Sequence, residues 1–253
     1  MEVRVNVLSY NIHKGLSSGP RSRHLLAGIR EAIHRVQPDI ALLQEVLGRH
    51  EGHAARFSDW PTHPQTEYLA EGLWPHYSYG KNAIYTLGHH GNAILSKFPI
   101  TRSDNIDISK GKLESRGMLH AVVEVPGIQA PLHVICTHLG LFETDRRQQI
   151  RDVADRIRSL VPPGEPVILG GDFNDWRERT SDSLAEKADL EEGFLSTCGQ
   201  HARTYPSWMP VLCLDRIYYR GLGIRGAEVL SGAPWNRLSD HLAIHAELVW
   251  PSP

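Results

Sequence analysis

Short apolar runs that each lead to one polar residue recur along the whole chain, and this pattern constrains the fold more than any other feature. VRVNVLSY leads to Asn11, DIALLQ to Glu45, LHVICT to His138 and PVILGG to Asp172, while Asp240 and His241 open the last run, HLAIHAELVW. Runs of this length and composition predict strands. If the strands are neighbours, their ends meet in one cleft rich in carboxylates, carboxamides and imidazoles. Such a set can hold a hard divalent cation and hydrolyse a phosphate ester.

Valines at 3, 5 and 7 alternate, predicting a strand with one buried face. Leu25, Leu26, Ile29, Ile33 and Val36 follow at helical spacing, ending before Pro38. DIALLQEV is continuously apolar, as in a strand covered on both faces. From about Val46 to Gly91 the chain is richer in His, Trp and Pro. It predicts surface loops over a cleft, with one short helix around Gln65 to Gly72. Strands resume at NAILS, ITRSDNIDI, MLHAVVEV and LHVICTH. A second helix is predicted from Glu143 to Val161, with Ile150, Val153, Ile157 and Leu160 on one stripe. PVILGGDFN, a short helix near Ser181 to Ala188, and the strands LDRIYYR, GIRGAEVL and HLAIHAELV complete the chain. Many strands among few helices predict an α/β (α+β) layered fold with mixed sheets. No repeat or linker divides the 253 residues, so a single domain over 1–253 is expected.

The apolar fraction of 41% supports a sizeable core. A formal charge of −2 excludes bulk attraction to nucleic acid or anionic membrane, so a polyanion would need a local basic patch. Arg21, Arg23, Lys110, Lys112, Arg116, Arg146, Arg147, Arg177 and Arg179 are the candidates, of which only Arg116 is expected near the cleft. Glu2, Arg4 and Asn6 interrupt the first run, which lacks the apolar core of a signal peptide. Cys136, Cys198 and Cys213 form no CxxC and cannot all pair, so reduced thiols and a cytoplasmic location are expected.

GGDFND is the sharpest motif. Gly170 and Gly171 predict a tight turn at a strand end, with Asp172 and Asn174 projecting two residues apart. A carboxylate there can take a proton from water, and an amide can donate to a phosphate oxygen. The bland alternative is an Asx turn. In Ser239–Asp240–His241, Asp240 could ligate a metal and His241 could contact phosphate or move a proton; the alternative is a turn Asp beside a half-exposed His. A serine-hydrolase triad fails, because neighbouring strand side chains diverge and no GxSxG elbow exists. Asp215, in an apolar strand, needs a partner, either Arg216 or a catalytic His. Glu45 is placed at the end of a buried strand, where a cation, a salt bridge or a cap must offset its charge. Asn11 either bonds a ligand or forms a turn, and His138 is either a core or a site histidine. Gly221 to Gly226 fits GxGxxG but precedes strand-like sequence rather than a helix. His89–His90 lacks any zinc frame and predicts a polar loop.

Taken in order, LSYNIHKG, LLQEV, GNAILSKFPI, SRGM, CTHLG, GGDFN, LDRIY and SDHLAI resemble the endonuclease/exonuclease/phosphatase superfamily from about residue 5 to 248. That group includes deoxyribonucleases, abasic-site endonucleases, sphingomyelinases and inositol polyphosphate 5-phosphatases; the overall pattern is most similar to small uncharacterised bacterial members. The resemblance implies a four-layer αββα sandwich with the site at the top of two packed mixed β-sheets. It implies Mg²⁺, or Mn²⁺ as a substitute, held by Glu45 with Asp240 and Asn11. Asp172 would position or deprotonate the attacking water, Asn174 would steady the phosphate, and His241, buttressed by Asp215, would contact it. His138 matches a position where deoxyribonucleases carry His. The base, Asp172 or His241, and the number of metals stay open. Substrate expectations run from DNA or RNA first to a phospholipid or inositol phosphate second, and then to a non-catalytic binder. A basic N-terminal extension, an apolar hairpin, a secretion signal and the tryptophan motif that precedes GDxN in 5-phosphatases are not seen in the sequence.

Overall fold

Two helical crossovers organise the architecture. In the computed structural model, which describes residues 2–18, 22–111 and 114–251, β1 (Arg4–Asn11) runs through α1 (Leu26–Val36) into β2 (Ile40–His50), and the two strands pair in parallel. Much later, β7 (Leu132–His138) runs through α4 (Glu143–Leu160) into β8 (Val167–Asp172), again in parallel. All other ladders are antiparallel, so both sheets are mixed.

β3 (His76–Tyr85) and β4 (Gly88–Ser96) extend the first sheet, as do β11 (Gly223–Leu230) and β12 (Ala243–Val249), in the order β11-β12-β1-β2-β4-β3. β5 (Ile100–Asp107), β6 (Gly117–Val123), β9 (Glu191–Glu192) and β10 (Asp215–Arg220) complete the second, in the order β5-β6-β7-β8-β10-β9. Val5, Val7, Ile40 and Leu42 of one sheet meet Leu119, Val134, Cys136 and Ile168 of the other in the central core. Outside, Leu26, Ile29 and Ile33 of α1 cover Leu8, Tyr10 and Leu43. On the opposite side, Ile150, Val153 and Ile157 of α4 and Leu184 of α5 (Thr180–Ala188) cover Ile135 and Leu169. The four layers follow from period-2 strands facing both ways between amphipathic helices. Cys136, Cys198 and Cys213 are all unpaired.

Several expectations are corrected. β1 is buried on both faces, because α1 covers the side opposite the valines. Between Val46 and Gly91 the chain is mostly ordered elements, not loops: β2 continues to His50, followed by α2 (Glu51–Arg56), the predicted short helix α3 (Gln65–Ala70), β3 and the start of β4. β3 is a half-exposed edge strand, so its sequence carries no apolar alternation. His89 and His90 therefore lie in β4 rather than a loop. The β3–β4 hairpin is apolar at its tip, where Ile84, Tyr85 and Leu87 are exposed. The short helix α6 (Gly193–Cys198) and the two-residue β9 have no sequence signal of their own. The GxGxxG segment leads from a bend at Gly221 into β11 and is not a phosphate loop before a helix.

Candidate active site

The parallel strands end at the same edge, and that edge carries the polar residues. In the second sheet His138, Asp172 and Asp215 are consecutive cross-strand partners. Two glycines allow this packing, by close approach within the strand rather than by the predicted turn. A Cβ on Gly171 would lie 1.9 Å from the Thr137 carbonyl oxygen, and one on Gly170 would lie 2.5 Å from Leu42 of the facing sheet.

Asp172 is 1% exposed and collects contacts from both sheets. Its Oδ2 accepts from Asn11 Nδ2 at 3.0 Å and lies 3.5 Å from His138 Nε2 and 3.6 Å from His241 Nε2. Its Oδ1 accepts from the Asn174 backbone N–H at 3.0 Å. That last bond is an Asx turn, so the bland reading of GGDFN holds for one oxygen while the other faces the site. Asn174, with φ 50, gives one amide hydrogen to the Leu139 carbonyl at 2.9 Å and keeps the other.

Asp215 partners the histidine, not Arg216. His241 Nδ1 donates to Asp215 Oδ2 at 2.9 Å, and Thr204 Oγ1 donates to the same oxygen at 2.5 Å. Arg216 turns away, its guanidinium donating to the Cys213, Asp215 and Asp175 carbonyls. The Tyr205 ring packs on His241 with centroids 5.0 Å apart.

Glu45 lies inside β2 rather than at its end, at a bulge between Leu43 and Val46, with φ 56. This left-handed backbone costs a non-glycine residue about 1–2 kcal/mol and aims the carboxylate into the cleft. Glu45 Oε1 is 3.5 Å from Asn11 Nδ2, and Lys14 Nζ is 3.2 Å from Oε2. Lys14 belongs to a single 3-10 turn, His13–Gly15, in which His13 Nδ1 reaches Asp240 Oδ1 at 3.3 Å. Ser239 Oγ donates to the Asn11 carbonyl at 2.7 Å and locks the Ser239–His241 segment to β1.

These environments separate the protonation states. Burial pushes Asp172 up to about 6, against the pull of His241. Burial also disfavours the charged form of His241, but Asp215 and Asp172 outweigh it and raise it to about 10. Burial holds His138 well below its ordinary value, with Arg116 acting the same way. Burial opposes ionisation of Glu45, yet His138, Lys14 and His13 bring it down to about 2. With His138 neutral, Lys14 and His13 carry that pull. Asp240 is lowered despite burial, chiefly by the hydrogen bond to His13.

All eight residues, Asn11, Glu45, His138, Asp172, Asn174, Asp215, Asp240 and His241, are therefore gathered at one end of the sandwich. Arg116 is there too, mostly buried, pairing with Glu114 at 3.3 Å. Of the other predicted cations, Arg23 is exposed, Lys110 pairs with Asp152, and Arg177 and Arg179 hold Glu143. Arg147 lines a surface cavity. Arg146 is not solvated: it is 2% exposed and holds the Gly140 and Leu141 carbonyls. Arg21 and Lys112 lie outside the described residues. His13, Lys14, Thr204 and Tyr205 were not predicted; IHKG after Asn11 is the one signal that could have drawn attention to the first two.

Two groups offer metal ligands. Asp172, Asp215 and His241 place ligand atoms within 4.8 Å of one another, but both His241 nitrogens already face carboxylates. Glu45, Asp240 and Asn11 supply oxygens, which suit a hard cation better. Glu45 Oε2 is enclosed and accepts no hydrogen bond despite its ion pair with Lys14, so an oxygen-seeking cation fits there.

The sequence profile of the Endonuclease/Exonuclease/phosphatase family matches residues 8–241, and the chain belongs to that family. Its members are phosphoesterase hydrolases, among them nucleases, phosphatases and phosphodiesterases. The chain is 42% identical over 242 residues to the uncharacterized protein YbhP of Escherichia coli, covering 96% of this chain and 95% of that one. Its fold matches an endonuclease/exonuclease/phosphatase from Beutenbergia cavernae, with TM-score 0.79, 20% identity, and coverage of 98% of this chain and 72% of that one. It also matches a mannosyl-6-phosphatase of Bacteroides thetaiotaomicron, with TM-score 0.73, 18% identity, and coverage of 97% and 100%. These likenesses are of fold.

Proposed function

We propose that this protein is a metal-dependent hydrolase that cleaves phosphodiesters by in-line attack of water, within one domain spanning 1–253. The observation that carries the proposal is the geometry around the buried Asp172, which Asn11 and His241 approach from the other sheet while His241 is in turn bonded to Asp215. Asp172 Oδ2, fixed by Asn11, takes the proton of the attacking water. His241 and the spare amide hydrogen of Asn174 donate to the non-bridging oxygens, where charge develops. The water oxygen bonds to phosphorus, the ester P–O bond breaks, and the departing oxygen takes a proton from solvent. His138, neutral and 3.5 Å from Asp172, orients that carboxylate or donates to the phosphate. Arg116 contributes charge to substrate binding. Glu45, Asp240 and Asn11 Oδ1 would hold Mg²⁺, or Mn²⁺ in its place. The ion would offset phosphate charge and acidify water.

Cleavage of DNA or RNA is one form of this reading and carries a steep salt dependence from phosphate contacts. Cleavage of a lipid or inositol phosphate carries little. A non-catalytic binder is disfavoured by the number of buried ionisable groups kept at one point. A cytoplasmic setting accords with the three free thiols, and no helix among the described residues is long and apolar enough to cross a membrane. The test is hydrolysis of bis(p-nitrophenyl) phosphate with Mg²⁺ or Mn²⁺. Asp172→Asn should lower the rate by about 10²–10³ or more while leaving the fold intact. An inactive wild-type protein, or a fully active variant, refutes the reading.

A further inference from the structure

Twelve large apolar side chains are exposed among the described residues, and nine of them stand on three loops and the β3–β4 hairpin tip, at the end of the sandwich that holds Asp172. Leu141 and Phe142 begin three residues past His138, and Trp176 lies two past Asn174. The loop ahead of Asp215 carries Trp208, 71% exposed, with Met209 and Val211. It is tied to the site, because the Ser207 amide donates to the Asp240 carbonyl at 2.7 Å. The β3–β4 tip, with Ile84 at 69% exposure, pairs with β2 at His50, five residues beyond Glu45. The remaining three, Tyr77, Leu160 and Leu195, lie elsewhere.

Chance exposure scatters apolar residues singly, whereas clustering at one mouth marks a contact surface. The composition of this rim, two Trp, a Tyr and a Phe among aliphatic tips, is that of side chains that settle at a membrane–water boundary. Positive charge stands directly behind it. The Arg177 guanidinium lies 4.5 Å over the Trp176 ring. Between α4 and α5, just behind Phe142, a cavity of about 270 Å³ is lined by Arg147, Arg151 and Lys187, with Arg179 paired to Glu143, Arg146 buried behind them and Asp175 the other acid. On a chain of net charge −2 this surplus is local. Apolar tips backed by cations complement a layer of anionic headgroups over acyl chains. A nucleic-acid duplex, its bases stacked inside, would set those same tips against charged phosphates, where they contribute little.

We propose that this rim docks the protein on an anionic phospholipid surface, so that the centre at Asp172 meets phosphodiesters of lipid headgroups. The docking stands by itself; the lipid substrate rests on the hydrolase reading above. The test is co-sedimentation of the full chain with vesicles of phosphatidylglycerol and phosphatidylcholine, alongside hydrolysis of soluble bis(p-nitrophenyl) phosphate. Mixed anionic vesicles should carry the protein down, and pure phosphatidylcholine vesicles should do so far less. Replacing both Trp208→Ser and Phe142→Ser should weaken vesicle binding about ten-fold or more, while Trp208→Phe should retain it. No binding to anionic vesicles, or a double variant that binds like the wild type, overturns the docking. Preference for duplex DNA over vesicles at equal phosphate and salt overturns it as well, and assigns the rim to nucleic acid. Soluble-ester turnover without vesicle binding sinks the docking alone; vesicle binding without turnover supports the docking and sinks the hydrolase.

Discussion

Asn11 Nδ2 donates to Asp172 Oδ2 at 3.0 Å, joining residues 161 apart across the seam between the two sheets. This bond favours the ionised carboxylate. In Asn11→Leu, of similar volume, the donor is gone and Asp172 should hold its proton more tightly. A charge-assisted bond is worth about 1.5–3 kcal/mol, which predicts a rise of about one pH unit or more above the value near 6. A carbon-13 carboxyl titration of metal-free protein by NMR measures it.

His241 is raised to about 10 from its ordinary 6.5 by Asp215 and Asp172, against burial. A folded value above the unfolded one gives stability that is fully present below about 6.5 and is lost as pH climbs towards 10. Melting of metal-free wild-type protein should therefore decline across that window. The Asp215→Asn and His241→Gln variants should show a flatter profile, measured by circular dichroism.

Glu45 combines a strained backbone with an enclosed oxygen that faces Lys14 but accepts no hydrogen bond. Glu45→Gln should weaken Mn²⁺ binding by about ten-fold or more, read by calorimetry, and chelation should abolish ester hydrolysis until Mg²⁺ or Mn²⁺ is restored. Glu45→Gly should melt higher than Glu45→Ala, by about 1–2 kcal/mol of unfolding free energy, because only glycine adopts φ 56 without penalty. Equal stability of the two would deny the strain.

Gly171→Ala should cost about 3 kcal/mol or more in denaturant unfolding, since its Cβ would sit 1.9 Å from a backbone oxygen that the β7–β8 ladder holds in place. Gly164→Ala, where a Cβ meets nothing within 4 Å, is the control despite its φ of 86; it should lose only the left-handed backbone preference, about 1–2 kcal/mol.

The strand-end residues were legible because a polar group that closes an apolar run falls where the strand ends, and Asn11, His138 and Asp172 all do so. Asp215 was legible as a buried charge in need of a partner, although only the fold selects His241 over Arg216. The bulge at Glu45 was not, since neither Gly nor a turn residue marks it and its cause lies in the pairing with β4. His13 and Lys14 depend on two successive left-handed residues that local sequence does not announce. Thr204 reaches Asp215 from an irregular loop, where no periodicity exists to be read. β3 carries no legible signal because a half-exposed edge strand has no buried face to pattern it.

The second sheet is a continuous insertion between β4 and β11 of the first, and neither layer holds the whole of the proposed site: Asn11 and Glu45 lie in one, His138, Asp172 and Asp215 in the other. Turnover is therefore a gauge of whether the layers are seated together. During a urea titration it should vanish as they part, even while each ladder keeps its own far-ultraviolet signal.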